Sequence, residues 1–163
     1  MQVVLDTLCL SHLLRRPVQS RSQRSVARTS LDKPIQTGRL FIVIDNTRGL
    51  IDEWSRTCGV ESVRVLVNAW ERGIIPVKPA KIPPAVTKQL NQLGFKKTID
   101  KLIIRVAIAK GKKIVTNDCD FWRPGDTSSV GQKNAPVALL CKRDLGLDIM
   151  RLQTLMREIR MKP

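Results

Sequence analysis

Residues 40–45 read LFIVID. Five apolar residues follow one another without the alternation of a half-exposed strand, and Ile42, Val43 and Ile44 are β-branched. Such a run predicts a strand over 40–44 covered on both faces, as in a parallel sheet between helices. It stops at an acid, Asp45. A helical pattern follows through Leu50, Ile51 and Trp54 to Gly59, with Asn46 and Thr47 placed to cap it.

The same unit of strand, acid and helix recurs on either side. Residues 2–5 (QVVL) end at Asp6, and Leu8, Leu10, Leu13 and Leu14 then recur at helical spacing. A second helix over 61–72 is stopped by Gly73. Residues 74–77 (IIPV) predict a short strand, and Pro76 confines it to a sheet edge because proline donates no ladder hydrogen bond. Pro79, Pro83 and Pro84 mark a rigid connection into a polar helix over 85–93, ended by Gly94. Thr98 caps a strongly apolar helix over 99–110, Gly111 ends it, and 113–116 is the next strand. Residues 123–134 read as a Gly/Ser/Asp-rich loop, 135–141 (APVALLC) as a last strand, and 147–161 as a basic C-terminal helix. Strands alternating with helices predict an α/β fold with a twisted parallel sheet of four or five strands flanked by helices. One domain is expected over 1–145, with 146–163 packed on it as a helix.

The charge is lopsided. Lys and Arg number 29 against 14 Asp and Glu in 163 residues, a net charge of +15. That excess suits a polyanion, nucleic acid before membrane surface, since no stretch pairs a basic face with a Trp/Phe/Leu face. No apolar run approaches the roughly 18 residues of a membrane helix. Aromatics make up only 4%, so backbone electrostatics rather than base stacking should dominate. The basic groups concentrate in 15–39, an insertion or arm carrying Arg15, Arg16, Arg21, Arg24 and Arg28, and around Lys96, Lys97, Lys112 and Lys113. Four cysteines without a C-x-x-C pair and a single His12 argue against a zinc site or a Ser-His-Asp hydrolase. They suit a reducing, cytoplasmic setting; the alternative is an organelle, with the Arg- and Ser-rich residues 1–32 as a transit peptide.

The few acids gather where strands end. Asp6 follows VVL, Asp45 follows FIVI, Asp52 and Glu53 open one helix, Asp100 opens another, and Asp118 and Asp120 follow KIVTN. In an open parallel sheet the carboxyl ends of the strands share one edge, where ligands bind. Carboxylates gathered there must take up protons or hold a cation. A hard divalent ion with oxygen ligands, Mg²⁺ or Mn²⁺, answers that need and can activate water at a phosphodiester. Taken singly, Asp6, Asp45 and Asp100 are good helix caps or first-turn residues, and each alone is more often that.

These motifs together resemble the PIN-domain family of metal-dependent nucleases, which includes the VapC-type toxin ribonucleases. VVLDT (3–7), LIDEW (50–54), IDKLIIRVAIA (99–109) and IVTNDCDF (114–121) are similar to its four motifs, the last most specifically. The resemblance implies a PIN-like three-layer sandwich and a metal-dependent endoribonuclease. By it, Asp6, Glu53, Asp100 and Asp118 form the catalytic acidic cluster, with Asp6, Asp100 and Asp118 on Mg²⁺ or Mn²⁺. Asp120 is then an auxiliary acid, and Thr116 and Asn117 orient ligands or water. Asp45 and Asp52 compete with Glu53 for the second place, and a second register would make 40–44 the first strand. The chain departs from the family at Leu8, where Ser or Asn is common, and in the basic 15–39. RNA is the implied partner, with DNA as an alternative substrate. A small protein antitoxin and a homodimer fit the same reading. A PIN-like RNA-binding module of a ribonucleoprotein, with little or no cleavage, is the competing one.

Overall fold

The strand nearest the amino terminus lies at the middle of the sheet. The computed structural model describes residues 1–15, 29–121 and 136–161. Its elements run β1 (Gln2–Leu5), α1 (Thr7–Arg15), α2 (Asp32–Gln36), β2 (Phe41–Asp45), α3 (Gly49–Cys58), α4 (Val60–Ala69), β3 (Ile74–Val77), α5 (Pro84–Gln92), α6 (Thr98–Ala109), β4 (Lys113–Val115), α7 (Pro136–Leu145), β5 (Asp148–Met150) and α8 (Leu152–Met161). Short 3₁₀ turns cover Glu71–Gly73 and Cys119–Phe121. The five strands are all parallel in the order β3-β2-β1-β4-β5. Val3 pairs with Ile42 on one side of β1, and Leu5 with Val115 on the other. The fold is thus α/β, with eight α-helices among the described residues flanking the sheet. It is consistent with the expected PIN-like three-layer sandwich.

The chain steps outward from β1 to β2 to β3, then crosses back to lay β4 and β5 on the far side of β1. Right-handed crossovers made in opposite directions place their helices on opposite faces. Accordingly α1, α3 and α4 pack in one chain of contacts, and α5 packs against α7. Between the layers Val3, Val4, Leu5, Ile42, Val43, Ile114 and Val115 are solvent-free, with Trp54 and Trp70 buried among the helices. The continuous apolar run at 40–44 has its explanation here, since β2 is flanked by strands and covered on both faces. Pro76 sits on β3, the edge strand, opposite Ile44.

Several expectations need correction. Residues 135–141 are not a strand: α7 spans Pro136–Leu145. Pro136 is pre-organised for a first helical position, Ala and Leu favour the helix, and Lys142 and Arg143 suit its last turn. Val137, Leu140 and Cys141 are buried at helical spacing while Leu139 is exposed. The last strand is instead β5, and only α8 of the expected helix over 147–161 remains helical. Residues 146–163 are therefore more than an appended helix, because β5 completes the sheet and Leu155 and Ile159 join the main core. Of the expected basic arm, 29–39 is folded: Leu31 and Ile35 are core residues. The Thr29 hydroxyl and the Trp70 indole both donate to Asp32 Oδ1, at 2.7 and 2.8 Å. Arg16, Arg21, Arg24, Arg28, Trp122 and the loop over 123–134 lie outside the described residues. Thr98 is the first residue of α6 rather than its cap.

The cap of α3 also differs from expectation. It comes from Asp45, whose carboxylate accepts Gly49 N at 2.7 Å, Leu50 N at 2.8 Å and the Thr47 hydroxyl at 2.5 Å. Burial works upward on this carboxyl, but those three bonds hold it below its ordinary value. Gly49 permits the approach, since a Cβ there would meet Leu102 at 2.8 Å and Asp45 Oδ2 at 3.3 Å. Replacing Asp45 by Ala orphans two helix donors and should cost about 2–3 kcal/mol. The expected result is a fall in melting temperature of roughly 5–10 °C in a thermal scan. A change under about 2 °C would show that the start of α3 is held by other contacts.

Candidate active site

Because β2 and β3 extend one way from β1 and β4 and β5 the other, the sheet has a switch point between β1 and β4. Crevices at such points, outside the carboxyl ends of the strands, are where open α/β sheets bind ligands. Asp6 and Thr116 are the first residues past those two strands, and both are buried. The Thr116 hydroxyl donates to Asp6 Oδ2 at 2.7 Å and accepts the Asp118 backbone N–H at 2.9 Å. Asp118 Oδ1 in turn accepts the backbone N–H of Asp120 at 2.9 Å, which tightens the 3₁₀ turn beneath them. One hydroxyl thus ties the acid of β1 to the acids after β4.

Asp100 enters from the first turn of α6 and is only 3% exposed. Its Oδ2 has no hydrogen-bond partner, nor has the buried hydroxyl of Thr7 beside Asp6. Buried polar atoms are nearly always satisfied, so an orphaned carboxylate oxygen at a ligand crevice marks a place for an ion or a water. Burial pushes Asp100 up to about 7; the Lys97 charge works against this, while Asp118, Asp6 and Asp120 add to it. Burial likewise pushes Asp6 up to about 6, opposed by the bond from Thr116 and aided by Asp118. The four aspartates therefore act on one another.

A cation of the chain already leans on this cluster. Lys97 Nζ lies 2.5 Å from Asp120 Oδ2 and 4.0 Å from Asp118 Oδ2, and its bond to Asp120 holds the ammonium above its ordinary value. Sequence reasoning assigned Lys97 to a nucleic-acid rim and missed this pairing. A signal was present, since a lysine just before a helix opposes the helix dipole and needs compensating acids.

The other expected site residues are placed elsewhere. Asp45 is the α3 cap described above. Glu53 pairs with Arg56 on the same helix, and Asp52 is exposed. Asn117 turns away from the acids: its amide nitrogen meets His12 Nδ1 at 3.2 Å, and its Oδ1 accepts Leu152 N at 3.3 Å. Lys96, next to Lys97 in the chain, is exposed, and Arg15 closes α1. Lys112 and Lys113 stand at the opposite, amino edge of the sheet. There Lys113 pairs with Glu158 at 3.2 Å and Asp148 at 3.9 Å, and Lys112 donates to Ile108 O.

Among the described residues no three His, Cys, Asp or Glu side chains stand together at metal-ligating spacing. The donors at the switch point are all hard oxygens, and Mg²⁺ commonly rests on one or two carboxylates while keeping several waters. Those oxygens belong to Asp6, Asp100 and Asp118, which do not stand together at such spacing. No described helix is long and apolar enough to cross a membrane. Comparison with models of protein families, with curated proteins and with solved structures finds no match to this chain.

Proposed function

We propose that the protein is a Mg²⁺- or Mn²⁺-dependent endoribonuclease that hydrolyses phosphodiester bonds at the crevice between β1 and β4. The observation that carries this reading is the unpartnered, buried oxygen of Asp100 in a cluster with Asp6 and Asp118 at the sheet's switch point. Asp6, Asp100 and Asp118 would hold the ion, which when bound supplies Lewis acidity and makes a bound water more acidic. The chain's own groups do the rest. Thr116 fixes the orientation of Asp6, Asp118 and Asp120 are held by their turn, and Lys97 balances the acids until a polyanion approaches. The net charge of +15 draws in the substrate that bare acids would repel. A small protein antitoxin covering this edge, or a homodimer, is compatible with the same site.

One observation favours a second reading. Lys97 already compensates Asp118 and Asp120, as in an RNA-binding module with no cleavage. The deciding measurement is cleavage of end-labelled single-stranded and structured RNA with Mn²⁺ and with excess chelator. The expected result is cutting that needs the ion and ceases in chelator. RNA bound but uncut under every metal condition would end the enzyme reading and leave the binding module. Faster cutting of DNA than of RNA would move the substrate class.

A further inference from the structure

Past the acid cluster, the carboxyl edge of the sheet continues into a groove of about 780 Å³. His12 of α1, Asn117 after β4, Arg151 after β5, and Gln153, Arg157 and Arg160 of α8 line it, and no acid does among the described residues. This size lies within the range of ligand pockets. The groove is firmly built. Asn117 joins His12 to the first N–H of α8, and Asn117 is the neighbour in sequence of Asp118. Helix α8 is pinned from below by buried Leu155 and Ile159, and Arg39 donates to Ile159 O at 2.7 Å.

That anchoring turns Arg157 and Arg160, one turn apart, to solvent. Neither has an acidic partner among the described residues, because the acid of that helix, Glu158, is engaged by Lys113. Guanidinium groups present a planar fork that matches phosphate. Two guanidiniums without acidic partners among the described residues line one wall of a groove whose Asn117 end neighbours Asp118 in the chain, and they describe a place for an anion.

We infer that this groove seats backbone phosphates of single-stranded nucleic acid on Arg157 and Arg160, along the stretch of strand that leads away from the bond presented to Asp6, Asp100 and Asp118. The inference rests on the nucleic-acid reading of the site but needs no cleavage, so binding is measured in chelator. The probe is a short fluorescent single-stranded RNA, followed by anisotropy at stepped salt concentrations. R157A/R160A should weaken binding about 10-fold or more at low salt, and should lower the slope of log K against log salt by about 1.4, since each phosphate contact contributes about 0.7. An Arg→Lys pair at the same positions should recover part of that loss. The control pair K81A/K88A removes equal charge from exposed positions elsewhere and should change the slope less. An unchanged slope in R157A/R160A, or equal losses in both pairs, overturns the groove. So does binding of a labelled poly-glutamate peptide that depends on Arg157 and Arg160 while RNA does not bind, which would assign the wall to an acidic protein. Groove-dependent binding without metal-dependent cutting would remove the endonuclease reading alone. Both arginines are exposed, and a melting temperature within about 2 °C of the parent is the check on folding.

Discussion

Asp118→Asn protein should lose about 10²–10³-fold of its Mn²⁺-dependent cleavage while binding RNA at least as tightly as the parent. The substitution keeps an oxygen at Oδ1 that can still accept the Asp120 N–H, so the turn after β4 survives. It removes one negative charge from a cluster that would otherwise hold a divalent ion. Such an ion contributes several kcal/mol of charge stabilisation, and each 1.4 kcal/mol is a factor of about ten in rate. Binding moves the other way. A repulsive carboxylate leaves the path of the phosphates, and Lys97 keeps Asp120 as its partner. Single-turnover cleavage and anisotropy in chelator read the two effects separately. A variant that cuts as fast as the parent would show that Asp118 holds nothing the reaction needs.

Asp100→Asn protein should unfold at a higher temperature than the parent above pH 7, although it too should be inactive. Asp100 ionises near 3.8 when unfolded and near 7 when folded, and Asp6 near 3.8 and near 6. Between those values the folded state binds more protons than the unfolded state. Stability therefore falls as pH rises from about 4 to about 7, and the loss persists above that window. The gap for Asp100, 7 − 3.8, sets an upper limit of about 4 kcal/mol at about 1.4 kcal/mol per unit. A buried amide also needs hydrogen bonds, so about half of that gain is expected. At 2–4 °C per kcal/mol this is a rise of roughly 4–8 °C at pH 8, fading near pH 4 where the parent acid is neutral. Saturating Mn²⁺ should raise the melting temperature of the parent and leave the variant nearly unmoved. A lower melting temperature for the variant at pH 8 would mean that the Asp100 carboxylate has a stabilising partner.

How much of this was readable in the residues differs from element to element. The run at 40–44 declared a buried parallel strand because no surface strand tolerates five apolar residues in a row, and Pro76 declared an edge. Asp6, Asp100 and Asp118 could be grouped because strand ends and helix starts share one rim. APVALLC misled because a short apolar run has no period of its own, and the balance toward helix came from Pro136 and from α7 packing against α5 and β5. Strand β5 was missed because three residues, Asp148–Met150, are too few to show alternation. Asp45 and Glu53 looked interchangeable with the other acids in sequence. What separates them is contact: one is consumed by the backbone of α3, the other by Arg56.

The acids of the crevice come from residues 6, 100 and 118, and the strand bearing the first is completed only when residues 41–45 and 113–115 flank it. Contacts so distant along the chain slow folding, because loop closure comes before their reward. A chain emerging from the ribosome before residues 113–118 are made therefore carries Asp6 and Asp100 without the crevice. Under the proposed activity, the protein is harmless to the RNA around it until its own assembly is finished.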